Sequence, residues 1–143
     1  LEPQVRSATE AQFDTQTNLK KIRISCLRER MLFDVTTFTV SPRQPVRLDF
    51  INPDATAHNL VIVQPGATEE IGLAANEMAK DPKLVKLGQF IPKSNKILHH
   101  TNMLKPESAE SLRFLAPDKP GRYPYLCTFP GHWTIMRGIM VVK

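Results

Sequence analysis

Cys127, His132 and Met136 fall within ten residues of one another in the segment YPYLCTFPGHWTIM, near the end of the chain. They are a thiol, an imidazole and a thioether, which makes one soft, one borderline and one weak soft ligand for a metal ion. The spacing, five residues and then four, lets a loop fold back over a single ion if it leaves one strand and enters the next. Pro130 and Gly131 allow that tight path. Each of the three also has an ordinary use, as a buried Cys, a surface His or a core Met, so a further ligand of the right type must decide.

Four histidines are available: His58, His99, His100 and His132. His58 stands at the mouth of the apolar run HNLVIV, just after the turn NPDATA, and the start of a core strand is a stiff place for a ligand. His99 and His100, in ILHHTN after a polar stretch, read as loop residues. His58, Cys127 and His132 with a weak axial Met136 make the trigonal His2Cys set of a blue-copper electron-transfer site. Zinc is the main rival, but a thioether is a poor zinc ligand. Iron–sulfur clusters need more thiolates than two cysteines provide. A nucleophilic Cys with a His base would leave Met136 unexplained and shows no evident orienting Asn or Asp.

Four protein ligands leave no open position for a substrate, so the site reads as a shuttle for single electrons and not as an enzyme. One copper per chain and no small-molecule substrate are expected. A copper carrier or store using the same residues is the alternative. A copper nitrite reductase or multicopper oxidase would need further ligands and normally a second domain of the same kind.

The elements around these residues read as short strands. KIRISCL puts Ile22, Ile24 and Cys26 on one face, TTFTV offers Phe38 and Val40, and PVRLDFI offers Val46, Leu48 and Phe50. HNLVIV carries the continuous apolar run LVIV, as in a strand buried on both sides. SLRFL presents Leu112 and Phe114, RYPYLC aligns Tyr123, Tyr125 and Cys127, and GIMVV closes the chain. Turn signals separate them in SPRQP, NPDA and PDKPG. In ATEEIGLAANEMAKDP, Thr68 is a candidate N-cap and Ile71, Ala74, Ala75 and Met78 form a helical stripe. About seven strands and one short helical flap, here residues 67–80, predict an all-β Greek-key β-sandwich. Tyr123 reads as a tyrosine corner and Cys26 as a buried free thiol in a strand. Met31, Met78, Met103 and Met140 read as core.

The 143 residues fit one domain, with 41% apolar and 23% charged residues and a net charge of +5. Lys and Arg are dispersed and not interleaved with stacking aromatics, which argues against nucleic acid as a partner. No apolar run reaches the ~20 residues of a membrane span, so no transmembrane segment is expected. Residues 1–19 are polar without sustained period and read as an N-terminal tail, linker or loosely docked arm before a domain at 20–143. The start, LEPQVRSATE, lacks an initiator Met and a signal segment, which fits a mature form or a module of a larger redox protein.

The segment YPYLCTFPGHWTIMRGIMVVK resembles the C-terminal end of the azurin/plastocyanin-type cupredoxins, azurins and auracyanins above all. AHNLVIV resembles the family's first-histidine strand, and GRYPYLCTFPGH with the flap is similar to auracyanins. The resemblance runs from about residue 21 to the C-terminus. It implies His58, Cys127 and His132 as equatorial copper ligands, Met136 as the axial one, and Asn59 hydrogen-bonded across to the Cys loop near Thr128. Ala57 stands where azurins carry a Gly and is left out of the ligand set. It further implies that the edge of His132 reaches an apolar patch with Phe129, Pro130 and Trp133 as neighbours, where a redox protein or fused redox domain such as a c-type cytochrome docks. A periplasmic or extracytoplasmic location follows from the family alone.

Overall fold

The structure, a computed structural model, describes residues 3–143, with side chains from Thr9 onward. Among the described residues, eight strands form two sheets: β1 (Lys20–Ser25), β2 (Thr37–Val40), β3 (Pro45–Asn52), β4 (Val61–Val63), β5 (Ile97–His100), β6 (Ser108–Leu115), β7 (Gly121–Leu126) and β8 (Arg137–Val142). One sheet runs β1-β3-β6 and the other β2-β8-β7-β4-β5. The pairs β1–β3 and β2–β8 are parallel, while β3–β6, β4–β5, β4–β7 and β7–β8 are antiparallel. This is the β-sandwich that the alternation of apolar residues predicts.

The main core lies between the sheets, where Ile24, Phe38, Val46, Leu48, Phe50, Leu60, Ile62, Tyr125 and Met140 meet. Phe33 sets an edge against Phe50 and tilts onto Tyr125. A second cluster of Val61, Val63, Ala67, Ile71 and Leu126 lies under helix α2 (Thr68–Met78). The run HNLVIV is apolar on both faces for this reason. Leu60 and Ile62 fill the sandwich, whereas Val61 and Val63 meet the helix. Burying such a side chain contributes roughly 1.5–3 kcal/mol, so both faces of this segment hold it in place.

Several elements differ from expectation. Residues 3–14 form a helix, α1 (Pro3–Asp14), within the stretch expected as a tail; residues 1 and 2 of that stretch lie outside the described residues. Its last residue explains its attachment. Arg47 and Arg113 stand opposite each other across β3 and β6, an unfavourable pairing of like charges. Asp14 lies between them: Oδ2 accepts from Arg47 and Arg113 at 2.9 Å each, and Oδ1 from Arg113 Nε at 3.0 Å.

The flap helix begins at Thr68 with Ala67 as its cap, and no side chain caps it. A further short helix, α3 (Pro82–Leu87), follows. Asp81 caps it by accepting from Lys83 N–H, Pro82 opens it, and Gly88 ends it at φ +70°. His99 and His100 belong to strand β5 and not to a loop. Met140 is core, but Met31 is exposed in a turn and Met78 and Met103 are half-buried. Cys26 is buried with a free thiol just past β1. Tyr123 donates to Lys119 O at 2.6 Å, the contact expected of a tyrosine corner.

Candidate metal centre

Strand order brings the chemistry together. β4 lies between β5 and β7, and β7 is joined to β8 by the loop 127–136. Val61 pairs with Leu126, so the antiparallel register carries on to set Asn59 beside Thr128 and His58 beside the loop. His58 stands before β4, held by a two-way backbone bridge: its N–H donates to Leu104 O at 3.2 Å, and Leu104 N–H returns to His58 O at 2.8 Å. Cys127 follows the last residue of β7, and Met136 precedes the first of β8.

The loop closes on itself through its backbone. Cys127 N–H donates to Met136 O at 3.1 Å and Met136 N–H to His132 O at 2.8 Å. Gly131 turns the chain at φ +87°, a conformation that disfavours a side chain, into one 3-10 turn at His132–Thr134. Gly131 N–H also donates to Asn76 Oδ1 of α2 at 2.9 Å, and the Trp133 ring lies against Gly72 of the same helix. The flap thereby fixes the tip of the loop.

Among the described residues, the ligand atoms of His58, Cys127 and His132 form one cluster, all within 4.8 Å of each other. Nδ1 of His58 lies 3.7 Å and Nδ1 of His132 lies 3.6 Å from Cys127 Sγ. An ion at about 2.0 Å from nitrogen and about 2.3 Å from sulfur would set S···N at about 3.7 Å for a trigonal arrangement and about 3.5 Å for a tetrahedral one. The observed edges of 3.6 and 3.7 Å fall within that span. His58, Cys127 and Met136 are fully buried and His132 is 7% exposed. The donor set therefore fits one ion that is shielded from water. His99 and His100 lie outside this cluster: His99 stacks on Phe114, and His100 Nδ1 meets Thr101 O.

Burial also sets the protonation of the donors. It pushes His132 down to about 4, with His58 adding to the effect, so the ring is neutral near pH 7 with a lone pair to offer. Burial pushes the Cys127 thiol up to about 11, against the pull of the Asn59 and Phe129 amides on its sulfur. Loading a metal must therefore expel that proton.

Asn59 and Thr128 tie the two ligand segments together. Asn59 Nδ2 donates to Thr128 Oγ1 and Thr128 N–H donates to Asn59 Oδ1, both at 2.7 Å. Thr128 Oγ1 donates onward to Phe90 O at 2.7 Å. Phe129 packs on the His132 ring, with centroids 4.5 Å apart, and on Phe90 at 5.8 Å. Phe129, Pro130 and Trp133 are half-buried and Ile135 is exposed. Trp133 serves as a strut between loop and flap, and its indole Nε1 is buried without a hydrogen-bond partner among the described residues.

Sequence reasoning missed Asp54. Its Oδ2 lies 2.8 Å from His58 Nε2, on the ring edge away from the sulfur. Its Oδ1 accepts from Glu29 N–H at 3.0 Å. The His58 contact and then that amide hold the carboxyl below the usual carboxylate range. The signal was present, a carboxylate four residues before a ligand His, but NPDA reads first as a turn.

The profile of copper-binding proteins of the plastocyanin/azurin family matches residues 20–143. The chain belongs to that family. It is a blue copper protein with one copper site, of a family built for electron transfer. Auracyanin-A of Chloroflexus aurantiacus is 33% identical over 125 residues, 85% of this chain and 74% of that protein. Auracyanin-B of the same organism is 30% identical over 130 residues, 89% of this chain but only 54% of that protein. The crystal structure of dithionite-reduced auracyanin from Roseiflexus castenholzii superposes with a TM-score of 0.73 at 34% identity, covering 87% of this chain and 97% of that one. No described helix of this chain is long and apolar enough to cross a membrane.

Proposed function

We propose that the chain carries single electrons between redox partners at a site made by His58, Cys127 and His132, with Met136 as a weak axial donor, and that it catalyses no reaction of its own. The observation that carries this reading is the meeting of two imidazole Nδ1 atoms and one thiol sulfur at 3.6 and 3.7 Å in a buried pocket. Copper bound there supplies a one-electron Cu(II)/Cu(I) couple. The chain's own part is to hold the donors still in both states and to keep water out. The closed backbone of the loop, the Asn59–Thr128 pair and the flap all serve that end.

Phe129 packs on the His132 ring, and with the half-buried Pro130 and Trp133 of the same loop we read it as the patch at which a redox protein docks through a small interface. A c-type cytochrome, free or fused to the same chain, is the partner class proposed. In this reading 20–143 is the electron-transfer domain and 1–19 an arm attached to it through Asp14. Family membership supports a periplasmic or other extracytoplasmic location, where oxidising conditions suit a copper–thiolate site.

An optical titration tests the function. Protein loaded with one equivalent of Cu(II) is expected to show an intense visible charge-transfer band that dithionite bleaches and air or ferricyanide restores. Cys127→Ser is expected to lose the band, because the copper–thiolate bond is its source. A colourless loaded wild type would refute the assignment. Copper passed readily to a chelating apo-protein, with no reversible bleaching, would favour a carrier.

A further inference from the structure

We propose that Asp54 is a positioning residue for this site: its carboxylate fixes the His58 ring with Nδ1 toward Cys127, and its buried charge favours Cu(II) over Cu(I). The inference rests on the copper reading above. An ionised carboxylate only accepts hydrogen bonds, so at 2.8 Å from Asp54 Oδ2 the His58 Nε2 must carry the ring proton. Nδ1 is then left with its lone pair directed to the cluster, the tautomer that a metal requires.

Asp54 is itself held through both its carboxylate and its backbone. Oδ1 accepts from Glu29 N–H at 3.0 Å, and Asp54 N–H donates to Asn52 Oδ1 at 3.0 Å. Asn52, fully buried, donates from Nδ2 to Thr56 O at 2.9 Å and to Leu104 O at 3.0 Å. Leu104 is the residue whose backbone brackets His58. One network thus fixes the main chain of His58 and the orientation of its ring.

The charge count gives the second consequence. Asp54 is 6% exposed and His58 is fully buried, so little water screens the pair. Thiolate and Asp54 carboxylate together contribute two negative charges. Cu(II) balances them, whereas Cu(I) leaves a net negative charge in a low-dielectric interior. The carboxylate therefore opposes reduction, and a neutral acceptor in its place would not.

Asp54→Asn is the test, measured as the redox equilibrium of the copper-loaded full chain against a mediator of known potential. The expected result is a retained blue band with the reduced-to-oxidised ratio at fixed solution potential raised at least about tenfold, which is 59 mV for a one-electron couple. A blue variant with an unchanged ratio overturns the proposal while leaving the copper reading intact; a colourless wild type overturns the copper reading itself. A second measurement needs no variant. In apo wild type, ¹⁵N-correlated NMR of the histidine side chains should find the His58 proton on Nε2, and a proton on Nδ1 of the neutral ring overturns the proposal. If Asp54→Asn does not fold, this measurement decides.

Discussion

Asn59 and Thr128, 69 positions apart, exchange two hydrogen bonds of 2.7 Å across the join between the His58 and Cys127 segments. Both residues are fully buried, so neither bond competes with water and neither donor has a ready substitute. Asn59→Ala removes both bonds and strands the Thr128 amide, at a cost of about 2–4 kcal/mol. Thr128→Val leaves its amide on Asn59 but removes two side-chain bonds, the one from Asn59 Nδ2 and the one to Phe90 O, for about 1–3 kcal/mol. Denaturant unfolding of the apo-proteins should find both variants less stable than wild type. Competition with a chelator should show copper held about 10–100-fold less tightly in Asn59→Ala. Wild-type stability in both variants would mean that the pair is not what joins the segments.

The Asn59–Thr128 pair was expected from the family resemblance and not from the strand pattern. The fold gives its physical basis, because the antiparallel pairing of β4 and β7 brings residue 59 to residue 128. His58, Cys127 and His132 were legible because few residue types bind soft metals and their spacing confines the loop. Asp54 was not, because an Asp in a turn is ordinary and only the folded chain reveals that its second oxygen meets His58. Helix α1 was hidden for a similar reason. Its anchor, Asp14, finds Arg47 and Arg113 at separations of 33 and 99 residues, and local periodicity carries no trace of that. The edge strand ending in His99 and His100 has half-buried and exposed residues with no alternation to mark it.

Asp14 gives the pH dependence. The hydrogen bond from Arg113 holds its carboxyl below the usual carboxylate range, with Arg47 and Lys21 adding to the effect. A folded-state value below the unfolded one means that the unfolded chain binds the proton first. The contribution is thus complete above about pH 4 and is lost as pH falls through the lower, folded value. Asp14→Asn should therefore be less stable than wild type at neutral pH, with the gap closing below about pH 4. Limited proteolysis within residues 15–19 should be faster in the variant at pH 7, with the difference narrowing as pH falls below about 4. A gap independent of pH would show that the ion pairs with Arg47 and Arg113 do not hold the arm.

Gly72 offers a test of the flap. In a helix interior, Ala is normally favoured over Gly by about 1 kcal/mol. Here a Cβ would overlap the indole atoms Cγ, Cδ2 and Cε2 of Trp133. Gly72→Ala should therefore destabilise the protein by about 1–3 kcal/mol despite its better propensity. Trp133 is the sole tryptophan of the chain, so its emission should move to longer wavelength as the ring is displaced. Unchanged emission with raised stability would mean that the ring has room to turn aside and does not pin the loop.

Met136 tests the fourth donor apart from the other three. Its side chain is fully buried in the main core, and its backbone closes the loop onto Cys127 and His132. Leu has nearly the same volume, so Met136→Leu should fold with a loss of under about 1.5 kcal/mol. The equatorial donors remain and the blue band should persist. Removing a weak thioether donor withdraws support that Cu(II) uses more than Cu(I), so the reduction potential should rise. Asp54→Asn is expected to move the potential in the same direction, by charge and not by coordination, so only Met136→Leu should alter the ligand-field features of the spectrum. A potential and spectrum both untouched by Met136→Leu would show that the thioether contributes packing alone.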